Sequence, residues 1–293
     1  MADNATARKT SEPSAPPAPP PSRQDVVPVR HYGRGTLAVV AVAVVVLVAQ
    51  RFATNPNIQW QIFGDYLFHP DILNGLLNTL EMTAIGMVCS MAGALVVALM
   101  RMSPSRVISS IAATYILFFR SIPPILLLIF VGNLGLFVDQ ITIGVPFTDL
   151  DLFSRPASEV LTPFVASILG LSLAGSGYMA EIVRAGLLAV GRGQRDAAKA
   201  LGLGSLGTTR HIVLPQALRV IIPPMGNELI SLLKVTAVVS VIGGGELLTV
   251  AQSISGANYR TIEMLLVAAA WYVAVITVLS IGQYFLERRI AER

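Results

Sequence analysis

Long apolar runs separated by short polar stretches dominate the chain. They fall at 36–53, 73–100, 111–138, 160–182, 216–242 and 263–286. A helix needs about 20 mainly apolar residues to cross the hydrocarbon core of a bilayer, and all six runs meet that length. Backbone in lipid must satisfy its own hydrogen bonds, so the runs are predicted to be helices. The second and third exceed the length required and are predicted to tilt or to extend past the hydrocarbon. The expected fold class is an all-α membrane protein with about six transmembrane helices. Between the first two runs, residues 58–68 place Trp60, Phe63 and Leu67 at helical spacing. That fits a short interfacial helix or, alternatively, an irregular outer loop. Residues 1–35 carry SAPPAPPPS and no apolar period, and are expected to form a disordered cytoplasmic tail.

Composition supports the membrane reading. Of 293 residues, 54% are hydrophobic and only 13% charged, against roughly 25% charged in soluble domains. The basic residues are segregated. Sixteen of the 21 Lys and Arg lie in the N-terminal tail, in the 101–106 turn, in the 184–219 region or at the C-terminus. Basic loops stay inside, so both termini are expected in the cytoplasm of a plasma (inner) membrane protein. The net charge of +4 therefore reports sidedness and gives no nucleic-acid signal. The single Cys89 excludes a disulfide framework, and His31, His69 and His211 are too scattered for a metal site.

One polar insert stands out, Asp196–Pro215, DAAKALGLGSLGTTRHIVLP. It reads Asp-Ala-Ala, three residues, Gly202, nine residues, Ile212, one residue, then Leu214-Pro215. QRDAAKAL favours a helix, with Gly193 and Gly202 where it would begin and end. Ala197 and Ala198 offer a low surface, Asp196 a charge, and Leu201 and Leu203 apolar anchors. Leu214-Pro215 is expected to stop the loop and open the next helix. This spacing resembles the cytoplasmic EAA loop of ABC importer permeases, with Asp196 in place of the family's Glu. The likeness extends to YMAEIVRAG (Glu181, Arg184, Gly186), Asn227-Glu228, Leu233-Lys234-x-Thr236 and Phe119-Arg120-Ser121-x-Pro123. Together these are similar to the polar amino-acid branch of that family, the histidine, glutamine and glutamate type, over about residues 72–290. Val235 and Arg-Ser-Ile-Pro-Pro depart from that branch's common pattern.

The resemblance implies a five-helix permease core at 72–290, with the coupling loop at 191–215 contacting a separate ATPase. Residues 36–71 would then be an additional N-terminal transmembrane helix with an outer interfacial segment. It further implies partners: ABC ATPase subunits, a second permease subunit (the same or a sister chain) and an extracytoplasmic solute-binding protein. The chain would form the translocation path for a polar amino acid, with no chemistry and no cofactor of its own. The alternatives are an ABC permease for another small solute, or an ion-coupled secondary transporter or channel.

Two other patterns lack their context. GLGSLG at 202–207 matches GxGxxG but follows a helix where a dinucleotide site needs a strand. Ser172 sits in an approximate GxSxG without a histidine in any span to serve as base. GxxxxGK[ST] is absent from the sequence, so nucleotide binding by a P-loop falls to another subunit. Glu81, Arg120, Glu228 and Lys234 lie in apolar runs, where a charge costs about 2.5–3.5 kcal/mol at the bilayer centre. They should face the bundle or a watery path. Glu228, Lys234 and Arg120 are substrate-path candidates, although Lys234 also fits a structural position near the outer surface. Ser172 and Ser176 share a helix face and suit either solute contact or helix packing. Pro223-Pro224 marks either a broken helix or a kink.

Overall fold

The computed structural model describes residues 32–144 and 151–291. It contains two units, one ending at Asn55 and one beginning at Pro56. The expected tail falls outside the described residues as far as position 31. In the first unit, α1 (Tyr32–Ala53) is built of Val, Ala and Leu, and its side chains from Thr36 onward are exposed on every face. A helix apolar all round is one solvated by lipid.

The second unit opens with α2 (Trp60–Leu67), α3 (Pro70–Arg101) and α4 (Arg106–Ser121). The segment predicted as interfacial is thus helical. Phe63 and Leu67 pack on a core of Ile72, Leu247 and Met264, and Trp271 Nε1 donates to the Leu67 carbonyl at 2.7 Å. The His69 side chain caps α3 by accepting the Asp71 N–H at 3.3 Å, and Pro70 takes the first turn, where no donor is missed.

The third apolar run is not one rod. After α4 the chain turns by 101° into α5 (Pro124–Gly132). Ile122 precedes Pro123 and is extended at φ −77°, ψ 129°. Proline's ring disfavours the helical region for the residue before it. A hairpin follows, β1 (Gln140–Gly144) antiparallel to β2 (Asp151–Pro156), with Thr142 opposite Ser154. Its Gln-Ile-Thr-Ile alternation suits a strand, so the helical bundle carries one small ribbon. The short α6 (Ala157–Val160) leads into α7 (Pro163–Ala189).

α3 and α7 form the central pair. Small residues meet between them: Gly86 lies against Leu171, Gly93 against Ser176, and Ser90 against Gly175. A Cβ added at Gly175 would collide with Ser90 Oγ, and one at Gly93 would lie 3.2 Å from Ser176 Cβ. Small residues let backbones approach where lipid supplies no hydrophobic drive between helices.

Beyond α8 (Arg192–Ala200) and α9 (Ser205–Thr208), a π stretch at Thr209–Val213 runs directly into α10 (Leu214–Thr236) and a 3-10 segment at Ala237–Ile242. Ser205–Ile242 is one helical run of 38 residues. The expectation that Leu214-Pro215 opens the helix is corrected, because the helix already begins at Ser205. The wide π turn accommodates the N–H that Pro215 lacks, and Gln216 Nε2 donates to the Ile212 carbonyl at 3.0 Å. Pro223 and Pro224 lie inside α10 without breaking it, so the broken-helix alternative does not hold there. Gln283 packs against Gly226 and donates Nε2 to the Pro223 carbonyl at 3.4 Å.

Gly243 (φ 68°) and Gly245 (φ 78°) then turn the chain through conformations that side chains resist. A Cβ on Gly244 would strike Val239 and come within 2.7 Å of Ser167 Oγ. Glu246, fully buried, caps α11 (Leu247–Asn258). It accepts the N–H groups of Leu248 and Thr249 and, at 2.6 Å, the Thr249 hydroxyl. Burial raises the Glu246 carboxyl above its usual range, opposed by those hydrogen bonds. The chain ends in α12 (Thr261–Ala291). Among the described residues, five helices are long and apolar enough to cross a membrane, or six if the bent α4–α5 pair is one span.

Candidate functional site

The segment expected to contact an ATPase begins as a helix with one face left open. Val190 and Gly191 are extended after α7, and α8 starts at Arg192 with no side-chain cap. Arg195 anchors it, donating Nη2 to the Leu187 carbonyl at 2.6 Å. Gly202 ends it at φ +81°. Its N–H bonds the Lys199 carbonyl at 2.9 Å and the Leu203 N–H bonds that of Ala198 at 3.0 Å, the pairing of a Schellman motif. Asp196 and Ala197 are exposed, while Ala198 turns inward at 3% exposure. The low surface expected of both alanines therefore comes from Ala197 alone.

Leu201 is 82% exposed, whereas Leu203 is half-buried and lies against Gly207. Leu206, not singled out from the sequence, is as exposed as Leu201. Its signal was an apolar residue between Gly204 and Gly207 in a polar loop. Ile212 is half-buried, and Leu214 and Pro215 are exposed on the first turn of α10. A cleft of about 340 Å³ underlies α8, walled by Leu99, Met102, Leu187 and Val213 together with Arg195 and Lys199. GLGSLG spans the end of α8 and the start of α9, with a helix before it.

The intramembrane candidates divide. Arg120, on the last turn of α4, is exposed, and Glu228 of α10 is half-buried. The Arg120 guanidinium carbon is 5.3 Å from the centroid of the Tyr178 ring. The Tyr178 hydroxyl donates to the Arg120 carbonyl at 3.3 Å. The structure thus brings Arg120 and Tyr178 together. Ser176 is buried between helices, with its hydroxyl 2.7 Å from Tyr115 Oη and 2.9 Å from the Leu173 carbonyl. Ser172 Oγ is buried with no partner. Lys234 and Glu81 are exposed on α10 and α3. Thr236, two residues past Lys234, is buried and bonded to the Leu233 carbonyl and to Tyr272 Oη.

Comparison with known proteins places this architecture. The profile for the binding-protein-dependent transport system inner membrane component matches residues 89–292. An arginine transport system permease protein, ArgU, of Corynebacterium glutamicum is 38% identical over 92% of this chain and 83% of its own. A probable glutamine ABC transporter permease protein, GlnM, of Bacillus subtilis is 30% identical over 74% of this chain and 92% of its own. Among solved structures, one described as an amino acid ABC transporter with histidines matches with a TM-score of 0.65 and 31% identity, over 79% of this chain and 99% of that one. A methionine ABC transporter, MetNI, in an inward-facing form shares the fold at a TM-score of 0.58 and 21% identity, over 75% and 95% of the two chains. This chain belongs to the family of binding-protein-dependent transport system inner membrane components, as a multi-pass permease subunit of an ABC transporter whose ATPase is a separate subunit.

Proposed function

We propose that the chain forms, with a second permease subunit, the import path for a polar amino acid, with cationic side chains foremost. The observation that carries this reading is the 38% identity to an arginine transport system permease over 92% of this chain, with Arg120 on α4 and Glu228 on α10 supplying both signs of charge. An amino acid brings both a carboxylate and an ammonium, and a path holding both signs complements it. The names of the relatives, an arginine and a glutamine permease, support the same substrate class. In this reading Asp196, Ala197, Leu201 and Leu206 contact the ATPase, and Gly202, Ile212, Leu214 and Pro215 shape the surface. The 191–215 side is cytoplasmic, as the basic residues indicate, and the binding protein docks at the opposite face. Residues 36–71 are an addition to a permease domain at 72–290.

The test is uptake into vesicles holding the whole importer, with each amino acid supplied in turn on its binding protein. Import of arginine with Glu228→Gln raising its apparent transport constant is the expected result. Import of a sugar or an inorganic ion in place of any amino acid would refute the substrate class.

A further inference from the structure

Between α4 and α7 lies a second feature, an open cleft of about 440 Å³ walled by Arg101, Leu117, Arg120, Ser121, Tyr178 and Glu181. That volume falls within the roughly 300–1,000 Å³ of small-molecule sites. Neighbouring grooves along α4, walled by residues such as Val107, Ser110, Phe118 and Ile122, hold no carboxylate. This cleft carries both signs of charge. Tyr178 and Glu181 are three residues apart on α7 and so are neighbours on one helix face. Arg184 engages Glu181 at 2.6 and 2.9 Å, both on Oε2, which leaves Oε1 as an acceptor. Arg120 covers the Tyr178 ring, so a cation, an aromatic face and a carboxylate follow one another along the wall.

Depth adds to this. Tyr178 and Glu181 precede the end of α7 at Ala189 by 11 and 8 residues, or about 16 and 12 Å along the axis. Arg101 is the last residue of α3. The cleft thus runs from near the middle of a core about 30 Å thick towards the helix ends that adjoin α8.

We propose that this cleft is a holding station for a cationic amino acid on the cytoplasmic half of the route. Arg120 takes the α-carboxylate, Glu181 Oε1 takes the guanidinium or ammonium, and Tyr178 and Leu117 bound the aliphatic stem. Arg120 keeps the carboxylate while the cationic end settles on Glu181. The proposal rests on the amino-acid reading above.

The test compares L-arginine and L-glutamine uptake in vesicles holding the whole importer. Two variants are used, Glu181→Gln and Tyr178→Leu, because the first also strips Arg184 of its partner and the second leaves that pair intact. Uptake is normalised to the amount of inserted importer. Losing a charged hydrogen bond or a stacking face should lower arginine uptake about tenfold relative to glutamine in each variant. An unchanged arginine-to-glutamine ratio in Tyr178→Leu overturns the station, whether or not Glu181→Gln inserts. A wild-type importer that takes up neither amino acid removes the functional reading as well, and that outcome is visible without any variant.

Discussion

Asp196 stands exposed on α8, one methylene shorter than the glutamate usual in such loops, with Leu201 and Leu206 beside it as bare apolar side chains. Charge pairs at interfaces of this kind couple by about 1.5–7 kcal/mol. Asp196→Lys should therefore abolish uptake and ATPase co-purification while the permease still inserts. Normal uptake by that variant would remove the loop from coupling. Ser176 illustrates what a sequence conceals at this scale. Its helix face was legible, but its partner Tyr115 is 61 positions away. A double-mutant cycle of Ser176→Ala and Tyr115→Phe, read by unfolding in detergent, should give a coupling of about 0.6 kcal/mol. A coupling near zero would show that the hydroxyls do not hold α4 to α7. Ala198 was misjudged for a related reason, since helical spacing fixes which residues share a face but not which face meets the bundle.

The elements themselves were largely legible, because apolar length alone dictates helices in lipid. Their joints were not. Two Pro-Pro pairs fall within the apolar runs. At Pro123-Pro124 the helix bends by 101°, and at Pro223-Pro224 it continues. Tertiary support differs at the two places: Ile122, extended, packs against the Leu127 and Ala174 core, whereas α10 is braced by Gln283 at Gly226. The π stretch at Thr209–Val213 was likewise hidden, since the sequence reading assigned Pro215 to a helix start. Inserting one alanine after Val213 should rotate α8 and α9 by about 100° relative to α10. The expected outcome is an inserted permease that no longer recruits its ATPase, measured by co-purification and uptake. Retained coupling would mean that the register of this turn is immaterial.

For the whole molecule, orientation follows from charge rather than from packing. Basic residues cluster at the tail, the 184–219 region and the C-terminus, so both ends should lie in the cytoplasm. Single cysteines placed at positions 5 and 291 in a Cys89→Ser background should resist an impermeant thiol reagent in intact cells and react after lysis. Labelling before lysis would invert the topology. Hydropathy made the span count legible, but the hairpin at 140–156 was not, because a short polar ribbon lies outside any membrane signal. The 38-residue run from Ser205 to Ile242 has a mechanical consequence. It is a crank with no elbow: one end is continuous with the surface beside Leu206, and the other carries Glu228 and Lys234. Displacement at the first end arrives at the second without backlash, so any lost motion is confined to the glycine joint at Gly202–Gly204, outside the membrane.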